Sequence, residues 1–318
     1  MSLRLIFMDP RASIPHPVPP PKKSILCLGS FDGVHIAHAA LMREGIARAK
    51  AMSTPLEPVL CGVFCFLRPS VDFVTSEDTP NHLTTLKEKL ALIGEIGVDF
   101  VCLCEFPDIR DLSPAEFIAM IRERCGCIGT MCGFNFRFGK GAAGNTETLK
   151  AAFGDNAHVV EPMYHNGEIV SASLIRKTLL DGNIETANAL LGYPYSLSAS
   201  VVHGKKLGRQ LGFPTANQYF PAERLIPRHG VYAVLCRTPY GVEPGVSNVG
   251  HHPTVDKGVR INCETYIAGF TGNLYARGLT VEFRHYLRPE MRFDSIEDLA
   301  NAIRKDADQA MDMLGNQK

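Results

Sequence analysis

Two short stretches carry side chains whose types and spacing suit phosphate chemistry. In "GFPTANQYF", Thr215 and Asn217 stand two apart after Pro214, and in an extended segment residues two apart point to the same side. A hydroxyl and a carboxamide facing one spot are neutral oxygen donors. They suit a hard cation that brings its own anion, as magnesium does on a nucleotide. The same residues also fit a turn in which proline fixes φ and asparagine bonds its own backbone. In "GSFDGVHIAHAAL", residues 29–41, Gly29 and Gly33 permit tight turns around Phe31, and His35 and His38 open a helix. A helix N-terminus favours anions, and imidazole donors placed there would stabilise a pentavalent phosphorus as pyrophosphate leaves. The alternatives are a turn cap, an exposed helical residue, and a two-histidine metal site lacking a third ligand.

A third stretch, Gly204, Lys205, Lys206, Leu207, Gly208 and Arg209, is rich in glycine and positive charge. It either folds over phosphates through backbone N–H groups and cationic side chains or forms a solvated basic hairpin. No G-x-x-x-x-G-K-[ST] occurs, so the chain is not a P-loop enzyme. Gly139, Gly141 and Gly144 do satisfy G-x-G-x-x-G. They follow the fourth expected strand of their domain instead of the first, which argues for a flexible loop and against a nicotinamide site.

The elements that must position these residues change character along the chain. "SILCLG" (24–29), a strand within "EPVLCGVFCF" (57–66), "VDFVCLC" (98–104) and "CIGTMC" (127–132) alternate with helical stretches. One helix covers 38–52. Another opens with Thr85 and Glu88 in capping-box spacing and stops at Gly97; a third has Ser113, Pro114 and Glu116 as N-cap, N1 and N3 and ends near Gly126. This β-α succession predicts an α/β domain with a doubly wound parallel sheet, whose ligands bind beyond the strands' carboxyl ends. After about residue 197, short β runs separated by Gly, Pro and Asn predict a compact antiparallel β-barrel. A C-terminal helix starts near Ser295, with Ile296, Leu299, Ala300, Ile303, Ala307 and Met311 as its inner stripe. In "TVEFRHYL", Val281, Phe283 and Leu287 are expected on one face, with His285 the exception. The expected organisation is a Pro-rich leader over 1–23, a first domain over 24–190 and a second over 191–318.

Bulk composition narrows the function classes. The chain has 318 residues, 45% hydrophobic and 21% charged, with 33 Lys+Arg against 33 Asp+Glu. That balance gives no bulk electrostatic case for nucleic acid or an anionic membrane, while two domains of ordinary size fit the length. None of the ten cysteines has paired C-x-x-C spacing, and their apolar settings suit reduced buried thiols in a cytoplasmic protein. No segment approaches a secretory or membrane-spanning length. A homo-oligomer is compatible with the sequence.

The ordered set of motifs resembles one family. "GSFDGVHIAH" is similar to the H-x-G-H loop of the nucleotidyltransferase superfamily, in the form used by prokaryotic bifunctional riboflavin kinase/FAD synthetases. "GFNFRFGKGAAGN" (133–145) resembles that family's flavin-site segment, and "VSASLIRKTLLDGNIETANALLGYPY" (170–195) its S-S-T-x-x-R segment. "HGKKLGRQLGFPTAN", "GVYAV", "GVSNVGHHPTV", "ETYI" and "VEFRHYLRPEMRFDS" resemble the riboflavin kinase barrel, in the family's order. The resemblance implies an FMN adenylyltransferase domain followed by a riboflavin kinase domain. Riboflavin, FMN, FAD and ATP would be the small-molecule substrates or products and Mg2+ the cofactor.

Residue by residue, it implies that Thr215 and Asn217 ligate the nucleotide's magnesium, and that Gly204, Lys206, Gly208 and Arg209 cover its phosphates. Glu264 in "NCETYIA" becomes the general base for the ribityl 5′-hydroxyl; otherwise it is a solvent-facing strand residue. Arg288 closes over flavin and nucleotide, or is a surface arginine. In the first domain His35 and His38 serve phosphates, Ser171 and Ser173 donate hydroxyls, and Arg176 holds the β- or γ-phosphate. Asn135 and the aromatics Phe134, Phe136 and Phe138 shape the flavin site, although alternate Phe residues also fill cores. The chain departs from the family at Ala37, in place of the glycine of H-x-G-H, and at Ala172, Ser173 and Leu174. Of F-x-P-x-P it keeps only Pro69. Two alternatives follow from the departures: a kinase whose first domain only binds flavin or nucleotide as a regulator, and a nucleotidyltransferase acting on another phosphorylated small molecule.

Overall fold

The computed structural model describes residues 3–8, 21–68, 82–204, 208, 212–251 and 261–315. Contacts divide the chain into two compact units, Met1–Ala172 and Ser173–Lys318.

The first unit is a six-stranded parallel sheet built from β1 (Arg4–Phe7), β2 (Ser24–Leu28), β3 (Leu60–Phe66), β4 (Phe100–Cys104), β5 (Cys127–Gly133) and β6 (Ala157–Val160), in the order β1-β4-β3-β2-β5-β6. Every residue of β2 and β4 is buried, as expected for strands covered on both faces. Helices α1 (Ile36–Met52) and α2 (Leu86–Ile96) cover one face, where Leu41, Met42 and Ile93 pack on Ile25, Val63 and Met131. Helices α3 (Pro114–Cys125) and α4 (Thr146–Phe153) cover the other, where Phe117, Ile121 and Leu149 meet Leu26, Phe64 and Phe100. The expected caps form: Thr85 with Glu88 and Ser113 with Glu116 are both reciprocal capping boxes, and Gly97 and Gly126 close their helices in the left-handed region.

Two strands escape the sequence pattern. β1 lies within the segment read as a leader and pairs in parallel with β4, Arg4 opposite Phe100; four residues are too short to show a period. β6 pairs with β5 and follows a Gly–Asp–Asn turn; after it comes a small antiparallel hairpin of β7 (Tyr164–His165) and β8 (Glu168–Ile169). Close packing also has a glycine requirement that is invisible locally. A Cβ on Gly62 would lie 2.1 Å from the ring of Phe100, itself fully buried. Gly62→Ala is therefore expected to lower stability by about 1–3 kcal/mol through overpacking, seen as a shift of the denaturant midpoint at unchanged m-value.

The chain order places the site. β2, β3 and β4 step outward in one direction, and β5 then returns to the opposite side of β2. The switch point is between β2 and β5, and a crevice at the carboxyl ends of such neighbours is where open α/β sheets take ligands. The loops carrying His35 and Asn135 leave from those two strand ends.

In the second unit, α5 (Ala172–Asp181) and α6 (Ile184–Leu191) precede six antiparallel strands. These are β9 (Ser196–Ser200), β10 (Thr215–Tyr219), β11 (Gly230–Thr238), β12 (Gly241–His251), β13 (Ile261–Ile267) and β14 (Gly278–Arg288), ordered β10-β13-β12-β11-β14-β9. A bridge between Val202 and Asn217 brings the two edges together, with the Val202 N–H donating to the Asn217 carbonyl at 2.8 Å. Gln218, Tyr232, Val234, Cys263, Val281 and Phe283 fill the interior, all fully buried. The opposite face of Val231, Ala233, Leu235 and Val246 is covered by the terminal helix α7 (Ile296–Leu314). The Asn188 carboxamide holds α6 to the barrel, donating to the Phe283 carbonyl at 2.8 Å and accepting from the Tyr195 N–H at 2.7 Å.

Two expected faces shift. In α7 the buried residues are Asp306, Ala310 and Leu314, while Ile296 and Met311 are 60% and 42% exposed. The helix is rotated because Asp306 turns inward to an ion pair with Arg288. Leu287 packs beneath α7 and not with Val281 and Phe283; register shifts between β11 and β14 break the alternation.

Candidate functional sites

The first site is the loop from Gly29 to His38. Phe31 adopts φ 50°, Gly33 φ 73° and Val34 φ 36°, so three residues of the loop hold positive φ before α1. Gly29 leaves room for the Phe31 ring, which a Cβ there would approach to 2.9 Å. The loop is fastened from the α2 side. The Asp32 carboxylate, 3% exposed, accepts from the N–H groups of Leu83 and Thr84 and from the Thr84 hydroxyl. The Gly33 N–H donates to Thr84 Oγ1 at 3.2 Å, and Lys89 Nζ donates to the Ser30 carbonyl at 3.2 Å.

His35 and His38 are brought together, their rings stacked at 3.5 Å and 16°. His35 Nδ1 caps α1 by accepting the His38 N–H at 3.4 Å, which leaves the proton of its neutral ring on Nε2. The Phe31 ring meets His38 edge-on at 5.1 Å, and His38 Nδ1 is buried with no hydrogen-bond partner among the described residues. Burial lowers the His35 pKa to about 4 against a partial opposing effect of Asp32. Burial, and then the His35 ring and Lys89, hold His38 well below the usual imidazole value. Both rings are therefore neutral donors or acceptors at neutral pH. Since His35 in the unfolded chain titrates near 6.5, the unfolded state takes the proton first. The contribution of His35 to stability is complete above about pH 6.5 and is lost as pH falls through about 4. Thermal melts across that window are expected to show this slope, and His35→Asn to weaken it.

At the end of β5, Asn135 is exposed and Phe136 half-buried, its ring stacked on Phe138 at 5.8 Å. Phe138 is 7% exposed, packed against Phe117 and pinned by paired backbone bonds with Gly144. The G-x-G-x-x-G run is thus a short turn beneath this segment, with Gly144 fitted to the Phe138 ring. Ser171 lies one residue before the end of the first unit, and Ser173 and Arg176 stand on the first turns of α5, in the second unit. Pro69 lies outside the described residues.

The second site is on β10 and β13. Thr215 and Asn217 do share a face of β10, and the register sets Asn217 opposite Glu264, with Asn248 of β12 on the other side. The Thr215 hydroxyl donates to Glu264 Oε1 at 2.5 Å. Cys263 and Thr265 point to the interior, fully buried, so alternation presents Glu264 outward with Asn217. Asn262 donates to Asn217 Oδ1 at 2.8 Å, and its own Oδ1 is buried without a partner among the described residues. A Cβ on Gly204 would fall 2.5 Å from Asn217 Nδ2, and Gly208 accepts from the Phe213 N–H at 2.8 Å. Both glycines thus bring backbone against the cluster; Lys206 and Arg209 lie outside the described residues. A cavity of about 510 Å3 opens beside Thr215, lined by Ala216, Thr265, Phe270 and Tyr275 among others, within the size range of small-molecule pockets. Arg288 is held by Asp306 at 2.7 Å and lies over the Phe293 ring.

The sequence motifs did not mark Asp32, Thr84, Lys89, Asn248 or Asn262. Only Asn262 had a usable signal, its place two residues before Glu264 on the same face of a strand. No group of three or more His, Cys, Asp or Glu residues able to hold a metal occurs among the described residues. The hydroxyl and carboxamide oxygens around Glu264 are hard donors that fit a magnesium ion carrying part of its coordination from phosphates.

Comparison with known proteins agrees with this division. The family model described as FAD synthetase matches residues 19–174, and that described as riboflavin kinase matches residues 191–314. A bifunctional riboflavin kinase/FMN adenylyltransferase from Listeria monocytogenes is 31% identical over 288 residues, 89% of this chain and 90% of the relative. One of the same description from Escherichia coli K12 is 34% identical over 307 residues, 93% of this chain and 94% of the relative. A crystal structure described as a macrolide-efflux protein from Streptococcus pneumoniae superposes with a TM-score of 0.83 at 27% identity, covering 96% of this chain and 97% of that one. Two units, each matching its own enzymatic family model, and relatives aligned along both place the chain in the bifunctional riboflavin kinase/FMN adenylyltransferase family.

Proposed function

We propose that the family's two activities are divided between the two units, with riboflavin phosphorylated at the Thr215–Glu264 cluster and FMN adenylylated at the loop between β2 and α1. The chain is an ATP-using enzyme of flavin cofactor synthesis, converting riboflavin to FMN and FMN to FAD.

The observation that carries the kinase assignment is the bond between Thr215 and Glu264 at 2.5 Å, with Asn217 directly across the ladder. Glu264 takes the proton of the ribityl 5′-hydroxyl as that oxygen receives the γ-phosphoryl group and ADP leaves. Thr215 and Asn217 would hold magnesium with the nucleotide, and the bound ion would neutralise phosphate charge. Gly204, Lys206, Gly208 and Arg209 cover the phosphates, and Arg288, steadied by Asp306, borders the flavin.

In the first unit a phosphate oxygen of FMN attacks the α-phosphorus of ATP as its bond to pyrophosphate breaks, and no covalent enzyme intermediate is needed. Catalysis is then positioning and charge stabilisation. His35 and His38 donate to phosphate oxygens, and Ser171 adds a hydroxyl. Gly29, Phe31 and Gly33 give the loop its shape. Asn135 and Phe136 contact the flavin, with buried Phe138 supporting Phe136 from below. Ten buried free thiols support a reducing, cytoplasmic setting, and no described helix is long and apolar enough to cross a membrane.

The by-products test the division of labour. Riboflavin with ATP should release ADP as FMN forms, and FMN with ATP should release pyrophosphate as FAD forms. ADP appearing in the FMN arm would contradict the adenylyl-transfer reading.

A further inference from the structure

We propose that Lys89 is a positioning residue for adenylyl transfer: its ammonium, buried beneath the loop between β2 and α1, fixes the Ser30–Phe31 segment and thereby the paired imidazoles of His35 and His38. This rests on the assignment of that loop to the adenylyl step.

Lys89 lies in the first turn of α2 and is 2% exposed. Lysine is rarely buried without a partner, because removing an ammonium from water is costly. Here no carboxylate is within ion-pair distance among the described residues; the acceptor is the Ser30 carbonyl at 3.2 Å. Two of its three N–H donors thus have no acceptor among those residues. The surrounding α2 positions belong to an apolar core with Leu86, Leu90 and Ile93, where methionine or leucine would pack without this penalty. The retained charge calls for a role outside packing.

Its placement supplies one. Ser30 immediately precedes Phe31, which holds a left-handed conformation and sets its ring against His38. Tying the Ser30 carbonyl orients the peptide on which Phe31 and the imidazole pair depend. Asp32, the loop's own carboxylate, is engaged with Leu83 and Thr84. The charged and titratable groups acting on the pair are therefore Asp32 from the loop on His35, and the His35 ring and Lys89 from α2 on His38, with the Cys65 thiol of β3 also in the field of Lys89. The positive charge of Lys89 opposes protonation of His38, helping to keep that ring neutral. The same charge raises the potential where a polyphosphate would lie.

The test compares full-length Lys89→Met and Lys89→Arg with wild type and His38→Ala, reading FAD formation from FMN, FMN formation from riboflavin, and the melting temperature. Lys89→Met, close in shape and uncharged, should lower kcat/KM for adenylylation about 10- to 100-fold and leave the kinase unchanged. It should also shift the acidic limb of the adenylylation pH profile to higher pH, as His38 protonates more easily. Lys89→Arg should move that limb back towards wild type, which a purely structural role would not do. Wild-type adenylylation and an unmoved limb in Lys89→Met, beside an inactive His38→Ala, would overturn the proposal alone. Full adenylylation in His38→Ala would instead remove the loop assignment on which it rests. If Lys89→Met melts early, the limb in Lys89→Arg decides: a wild-type limb supports the charge role, and a limb shifted upward despite the retained charge overturns it.

Discussion

Glu264→Gln is expected to abolish FMN formation from riboflavin, by about 10²–10⁴-fold, while FMN supplied from outside is still converted to FAD. The carboxamide keeps the shape and can still accept from the Thr215 hydroxyl, so the ladder Asn217–Glu264–Asn248 should stay in register. What is lost is the basic oxygen that takes the hydroxyl proton. The measurement is separation of riboflavin, FMN and FAD after parallel incubations with riboflavin or FMN. FMN formation at the wild-type rate would remove Glu264 from the role of base, and loss of both reactions would place it in a structural role common to the whole chain.

The converse result is expected for His38→Ala. Conversion of FMN to FAD should fall about 10²–10³-fold, the scale of removing one preorganised donor from a transition state, and riboflavin phosphorylation should be untouched. Alanine keeps α1 intact and preserves its N–H to the His35 cap. It removes the ring that stacks on His35 and abuts Phe31. An equal loss of both activities would count against separate sites.

The parts of this architecture that were legible in the sequence are those written in local pattern. The helix boundaries at Thr85, Gly97, Ser113 and Gly126 follow from capping chemistry within a few residues, and the structure shows those caps. The common face of Thr215 and Asn217 follows from strand alternation, and so does the separation of Glu264 from Cys263 and Thr265. The pairing of Asn217 with Glu264 did not follow, because register between distant strands is set by tertiary packing. β1 was hidden by its four-residue length. The rotation of α7 was hidden because an acidic residue, Asp306, is buried against Arg288, contrary to the expectation that the apolar stripe faces inward. Lys89 was hidden for a related reason: in "TLKEKL" it looks like a solvated helix residue, and its burial comes from a loop 59 positions earlier folding across it. Thus the histidines could be named from the sequence, whereas the groups that hold them could not.

The central claim is that two independent sites act in series, and mixing the two single variants tests it most directly. Neither Glu264→Gln nor His38→Ala alone should make appreciable FAD from riboflavin, ATP and magnesium. Together they should: His38→Ala supplies FMN, which is released and adenylylated by Glu264→Gln, so FAD should rise after a lag in which FMN accumulates. A mixture that makes FMN but no FAD, although Glu264→Gln alone converts added FMN, would show that FMN is not passed through solution between independent sites, and would contradict this account.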